Sequence, residues 1–263
     1  MLGKLFKYDF KWNNKVMVIY FIISLTLAII TKIVETLEMT IIVTIIDKIL
    51  VGILISCFFS IAITCLIRIW VRFKNNIYKD ESYLTHTLPV TKSQIFSAKM
   101  LASFLSVILS ILVILSCLAI VFLNNSTISL IKDKFNSFKE IFGQGKLIGI
   151  IISLICIVIL EFIFMMQCGI FGIIVGNRTN NLKALKSVIV GLISYGIFSG
   201  FILVILYIAA QINPNLMEIY STNLPSTQAI ELLTYISLCV YIVYNLLIYF
   251  AGKKILQKGV NVD

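Results

Sequence analysis

Arg68–Lys99, RIWVRFKNNIYKDESYLTHTLPVTKSQIFSAK, is the densest polar run between apolar blocks, and it carries the chain's only histidine, His86. Ahead of it, Ile49–Ile67 (ILVGILISCFFSIAITCLI) runs for 19 residues without a charge, and Met100–Leu123 follows as a second uncharged block. A helix rises about 1.5 Å per residue, so about 20 apolar residues cross about 30 Å of hydrocarbon. Both flanks meet that length or nearly so. The first expectation is therefore a polar hairpin held between two membrane-spanning helices.

The rest of the chain repeats the apolar half of that pattern. Of 263 residues, 60% are hydrophobic and 13% charged, more apolar surface than a soluble domain of this size can bury. Four further candidate spans are Val16–Thr31, Leu147–Val175, Val188–Ala210 and Leu232–Phe250. The expected fold class is an all-α membrane protein, with residues 1–263 forming one transmembrane domain of six helices. Pro89, Pro214 and Pro225 all fall between spans, so the spans should be continuous helices rather than broken ones. The first apolar block starts only after Lys15 and no small-residue cleavage site follows it, so no cleavable signal is expected. Cys57, Cys65, Cys117, Cys156, Cys168 and Cys239 all lie inside apolar blocks without CxxC spacing. They read as small apolar packers.

Residues 1–15, MLGKLFKYDFKWNNK, are too polar to span. Lys4, Lys7, Lys11 and Lys15 recur at helical spacing on one side while Leu2, Leu5, Phe6 and Phe10 gather on the other. That pattern predicts an interfacial helix with its apolar face in the acyl boundary. Segments 1–15, 68–99, 178–186 and 253–258 hold 16 of the 22 Lys and Arg, and the alternate loops hold the other 6. By the excess of positive charge on the cytoplasmic side, both termini and the Arg68–Lys99 loop are expected inside. The same placement accounts for the net charge of +10 without nucleic acid. Between spans three and four, Ile128, Ile131, Phe135, Phe138 and Phe142 step by three and four residues, and Gly143 offers a stop. An outer amphipathic helix within 124–146 is expected. The second outer loop, Gln211–Ala229, has no basic residue and two prolines, and is expected as a compact or partly re-entrant cap.

Catalytic signatures are missing. Gly143-Gln-Gly145-Lys146 lacks the upstream glycine and the following Ser or Thr of a phosphate loop, and one histidine cannot make a His-based metal pair. No catalytic residue, metal site or bound cofactor is therefore expected in this chain. Glu161 lies midway along span four, where an ionised carboxylate is costly. It is either a contact in a substrate path or gate, or a structural hydrogen-bond partner of a neighbouring Ser, Thr or Tyr. The same two readings apply to Gln167. Gly52, Ser56, Ser60 and Thr64 recur every four residues along span two, Ser103, Ser106 and Ser110 line span three, and Gly196 and Gly200 make GxxxG in span five. Such stripes let helices approach closely. Span six carries a wetter face of Ser237, Tyr241, Tyr244 and Asn245, which lines a path or bonds to another helix.

Within the polar hairpin, Asp80-Glu81-Ser82 reads as a helix start running to about Thr87, Pro89 as a stop, and Thr91-Lys-Ser-Gln94 as a capping box. The run from Asp80, Glu81, Ser82, Tyr83, Leu84, Thr85, His86, Thr87, Leu88 and Pro89 through Val90, Thr91 and Lys92, with Ser97-Ala98-Lys99 after it, resembles a family signature. It is similar to the D-E-x-Y-L-T-x-T-L-P-V-x-K stretch of six-span permeases of bacterial ABC exporters, of drug-efflux and lantibiotic-immunity type. That resemblance implies a plasma-membrane subunit without a nucleotide site. It implies pairing with a separate ATP-binding cassette subunit that binds ATP and Mg, and with a second, identical or homologous permease. It further implies that the hairpin supplies the coupling helix, and that spans two and five line the permease interface. The substrate expected to be exported is a hydrophobic or amphipathic peptide, drug or lipid, antimicrobial peptides included. The substrate path would be Glu161, Gln167, Ser56, Ser60, Tyr241 and Asn245. Two rivals stand beside it: a proton-coupled secondary carrier using Glu161, and a membrane sensor or assembly protein that transports nothing.

Overall fold

Long uncharged runs without proline leave the backbone one way to satisfy its polar groups in lipid, and that is the helix. The computed structural model describes residues 2–37, 40–79, 81–179, 181–213, 216 and 226–259, with the side chains of His86 and Asn125 outside that description. Among the described residues the elements are α1 (Leu2–Glu35), α2 (Ile41–Tyr78), α3 (Ser82–Thr87) and α4 (Lys92–Phe122). They continue with α5 (Asn125–Phe142), α6 (Gln144–Gly176), α7 (Lys183–Ile212) and α8 (Thr227–Gln257). Six of these, α1, α2, α4, α6, α7 and α8, are long and apolar enough to cross a membrane. Each expected span falls inside one of them, apart from Leu123, which caps α4. The helices outrun the apolar blocks: α2 continues from Ile67 to Tyr78, about 16 Å further.

Two compact units divide the chain, with the boundary inside α5 at Leu130 and Ile131. In the first, α1 packs on both α2 and α4. Asn14 meets Ser106 and Ser24 meets Cys117, so α1 and α4 run parallel; Asp9 meets Arg72 and Asn13 meets Arg68, so α2 is antiparallel to them. Its apolar centre is Ala28, Leu54, Cys117 and Val121. In the second unit, α6 packs on both α7 and α8. Tyr195 of α7 meets Glu161 of α6, and Asn245 of α8 meets the Leu160 carbonyl. Phe164, Cys168, Phe198 and Ile248 form the centre there.

Residues 1–15 depart from the expectation of a separate interfacial helix. Residues 2–15 are the first four turns of α1, which runs unbroken to Glu35. No proline or interior glycine interrupts the stretch, and protein covers part of its polar surface. Asp9, Asn13 and Asn14 are buried, while Lys4, Lys7, Lys11 and Lys15 remain exposed. The amphipathic helix expected within 124–146 is present as α5, and Gly143 ends it with a positive φ of 78°. The loop expected at Gln211–Ala229 is entered by α7 up to Ile212 and left by α8 from its cap Ser226. The cap proposed for it, with Pro214 and Pro225, lies outside the described residues.

Candidate functional site

The hairpin's short helix is held by charge. About three turns of α2 beyond its apolar block carry Arg68, Arg72 and Asn76 down one side at i, i+4 spacing. Arg68 donates to the carbonyls of Asn13 (2.9 Å) and Trp12 (2.5 Å), and its guanidinium lies 4.3 Å from the Trp12 ring centre. Arg72 is a two-sided link. Its Nε donates to Asp9 Oδ1 of α1 at 2.9 Å, and its Nη1 donates to Glu81 Oε2 at the start of α3 at 2.6 Å. The other Asp9 oxygen accepts from Lys99 Nζ of α4 at 3.0 Å. Asn76 also donates to Glu81 Oε2 (2.5 Å), and the Thr85 hydroxyl donates to Asn76 Oδ1 (3.1 Å).

Three elements, α1, α2 and α4, are thereby tied through one carboxylate, and Arg72 adds α3 through Glu81. Asp9 and Lys99 are each only 4% exposed, so neither ion has water to fall back on and each depends on the other. Lys99 stands one residue ahead of the uncharged block Met100–Leu123. Burial pushes its ammonium down from the ordinary value, and the Asp9 carboxylate opposes that shift. α4 starts from a complete capping box: the Thr91 amide donates to Gln94 Oε1 at 3.0 Å and the Gln94 amide to Thr91 Oγ1 at 3.3 Å. The helix that carries Lys99 is thus fixed at its first turn.

Of the hairpin residues singled out in the sequence, Glu81, Ser82 and Thr85 face inward, and Ser82 and Thr85 are buried. Tyr83 (76% exposed) and Leu84 (67%) face outward, with Thr87, Leu88 and Pro89 exposed beside them. Lys92 is half-buried in the first turn of α4. Asp80 and the side chain of His86 lie outside the described residues. A groove of about 220 Å³ runs between α1, α2 and α3, lined by Leu5, Tyr8, Leu84 and Leu88 over a floor of Asp9 and Arg72.

The path residues separate. Ser56 and Ser60 are exposed on α2, each hydroxyl donating to its own helix at Gly52 and Ser56. Glu161, Tyr241 and Asn245 gather in the second unit: the Tyr195 hydroxyl donates to Glu161 Oε1 at 2.7 Å, and Asn245 Nδ2 donates to the Tyr241 carbonyl at 2.8 Å. Gln167 is buried about 9 Å further along α6, with its Oε1 unpartnered. Among the described residues no cluster of three metal-binding side chains occurs.

Set against known protein families, characterised proteins and solved structures, the chain matches none of them. Its six long apolar helices decide the class. The chain is a multi-pass helical membrane protein. Asp9 and Arg72 were not singled out by the sequence, and Lys99 entered only as the end of the family-like stretch, because their pairings cross 63 and 90 residues. The one local signal was that Asp9 is the only acid in the basic segment 1–15.

Proposed function

We propose that this chain is the membrane subunit of an ATP-driven exporter, powered by a separate ATP-binding subunit that docks on α3. The observation that carries this reading is the clamp: an exposed short helix set between two long helices and bonded through Glu81, Arg72, Asp9 and Lys99 to α2, α1 and α4. A push on the outer face of α3 has a stiff route into three spans. The resemblance of residues 80–92 to exporter permeases supports the same reading. ATP and Mg belong to the partner, whose closure on ATP displaces α3 and tilts α2 and α4. The basic ends of the helices face the cytoplasm of a bacterial cell, by the charge asymmetry. A second permease, identical or homologous, packs along α2 and α7, whose small residues Gly52, Gly196 and Gly200 have nothing of this chain within 4 Å of an added Cβ. The substrate is apolar or amphipathic.

Testing this uses the outward face, since reversing Glu81 would break the clamp as well as any docking. The tagged chain, purified gently from its native membrane, is expected to bring a nucleotide hydrolase with it. Tyr83→Ala with Leu84→Ala should lower ATP turnover of the complex about tenfold, with the thermal stability of the chain unchanged. Turnover untouched by that pair, or no hydrolase in the complex, would overturn the reading. Glu161 supports one rival, a proton-coupled carrier, which a pH gradient would drive without ATP.

A further inference from the structure

Glu161 is the sole acid in the apolar run Leu147–Val175. Its Oε1 is bonded to Tyr195, but its Oε2 is buried without a hydrogen-bond partner. Asn245, 7% exposed, donates its amide to backbone carbonyls and leaves Oδ1 buried and unpartnered as well. Around these acceptors stands a wall of rings: Phe164 to Phe198 at 4.3 Å between centres, Phe198 to Tyr244 at 4.6 Å, Phe198 to Tyr241 at 5.0 Å, and Phe164 to Tyr195 at 5.9 Å. Phe164 and Phe198 are buried at the back, whereas Glu161, Tyr195, Tyr241 and Tyr244 are half-buried.

Acceptor oxygens and ring faces both present negative potential, and no cation of α6 offsets it. The nearest basic residues on that helix and its C-terminal side, Lys146 and Arg178, are each 15 or more positions away, about 22 Å along the axis. A bare metal ion would demand a shell of several oxygens, whereas this site offers one carboxylate and one amide among apolar rings. Ring faces beside a carboxylate suit a large, weakly hydrated organic cation. We propose that Glu161, Asn245 and the Tyr195, Tyr241 and Tyr244 rings form a binding site for a lipophilic organic cation. As a substrate site this rests on the export reading; as a binding site it does not.

The test uses the full chain in lipid nanodiscs without ATP or any ATPase, with empty discs subtracted. Two ions of nearly equal size and shape serve as probes, tetraphenylphosphonium and tetraphenylborate, measured by equilibrium dialysis. The cation should bind saturably and the anion should not. Glu161→Gln, which keeps an acceptor for Tyr195, should weaken the cation about tenfold, and Tyr241→Leu about threefold. Equal binding of the two ions, or affinities unchanged in both variants, would overturn the site. Should Glu161→Gln fail to fold, the sign preference of the native chain and the Tyr241→Leu variant decide the matter alone. Cation binding that persists in a chain that proves unable to couple to ATP would keep the site and discard the export reading.

Discussion

Removing Asp9 should do more harm than removing either of its partners. Asp9→Asn leaves the Arg72 and Lys99 cations facing each other with only Glu81 nearby, and a buried charge stripped of its partner costs about 3–5 kcal/mol. Thermal unfolding of the purified chain should show that loss, and Asp9→Asn combined with Lys99→Met should recover much of it, because the second change removes the stranded ion. A double variant no more stable than Asp9→Asn would mean the pair does not act as one unit. Residues of this kind were hard to see in the sequence. An acid among four lysines looks like part of a solvated face, and no periodicity announces a partner 90 residues away. Glu161 was easier, because a carboxylate inside an apolar run has no solvent to explain it. The tyrosine partner foreseen among the options for it is Tyr195.

Helix by helix, legibility followed how local the signal was. The capping box at Thr91, the stop at Gly143 and the short helix ahead of Pro89 are each written within a few residues, and each is where the sequence put it. Packing between helices is not local. The serine stripe of α4 does face a neighbour, with Ser106 accepting from Asn14. The closest approach in the second unit, however, avoids Gly196 and Gly200. It falls at Gly172 and Gly176, where an added Cβ would sit 2.3 Å from the Ser187 carbonyl oxygen and 2.3 Å from the Ser187 hydroxyl. Both positions were lost inside a uniformly apolar run. Gly172→Val should therefore force α6 and α7 apart and cost about 1–3 kcal/mol, seen as a lower melting temperature in detergent. Gly145→Val serves as the control, since nothing of this chain lies within 4 Å of an added Cβ there. Equal melting of the two variants would show that the α6–α7 contact is not so close.

Across the whole chain, the number of spans was legible because hydrocarbon thickness sets it, whereas the helix ends were not, because helical propensity carries α1 and α2 past the apolar blocks into charged sequence. Orientation depends on those charged ends. In the first unit the start of α1, the end of α2 and the start of α4 come together, and Lys4, Lys7, Lys11, Lys15, Arg68, Arg72 and Lys99 lie on them. In the second unit the end of α6, the start of α7 and the end of α8 carry Arg178, Lys183, Lys186, Lys253 and Lys254. Holding such ends on the cytoplasmic side is what the positive-charge bias requires of each unit separately. A green fluorescent protein fused after Asp263 should therefore fluoresce, since it matures in the cytoplasm. Alkaline phosphatase inserted at Gly143, between α5 and α6, should be active, since it folds outside. The reverse pattern would invert the protein and leave α3 out of reach of any cytoplasmic ATPase. Changing Lys4, Lys7, Lys11 and Lys15 together to Gln removes the charges of one end without touching the buried Asp9 cluster, so a mixed reporter signal in that variant would trace the orientation to those lysines.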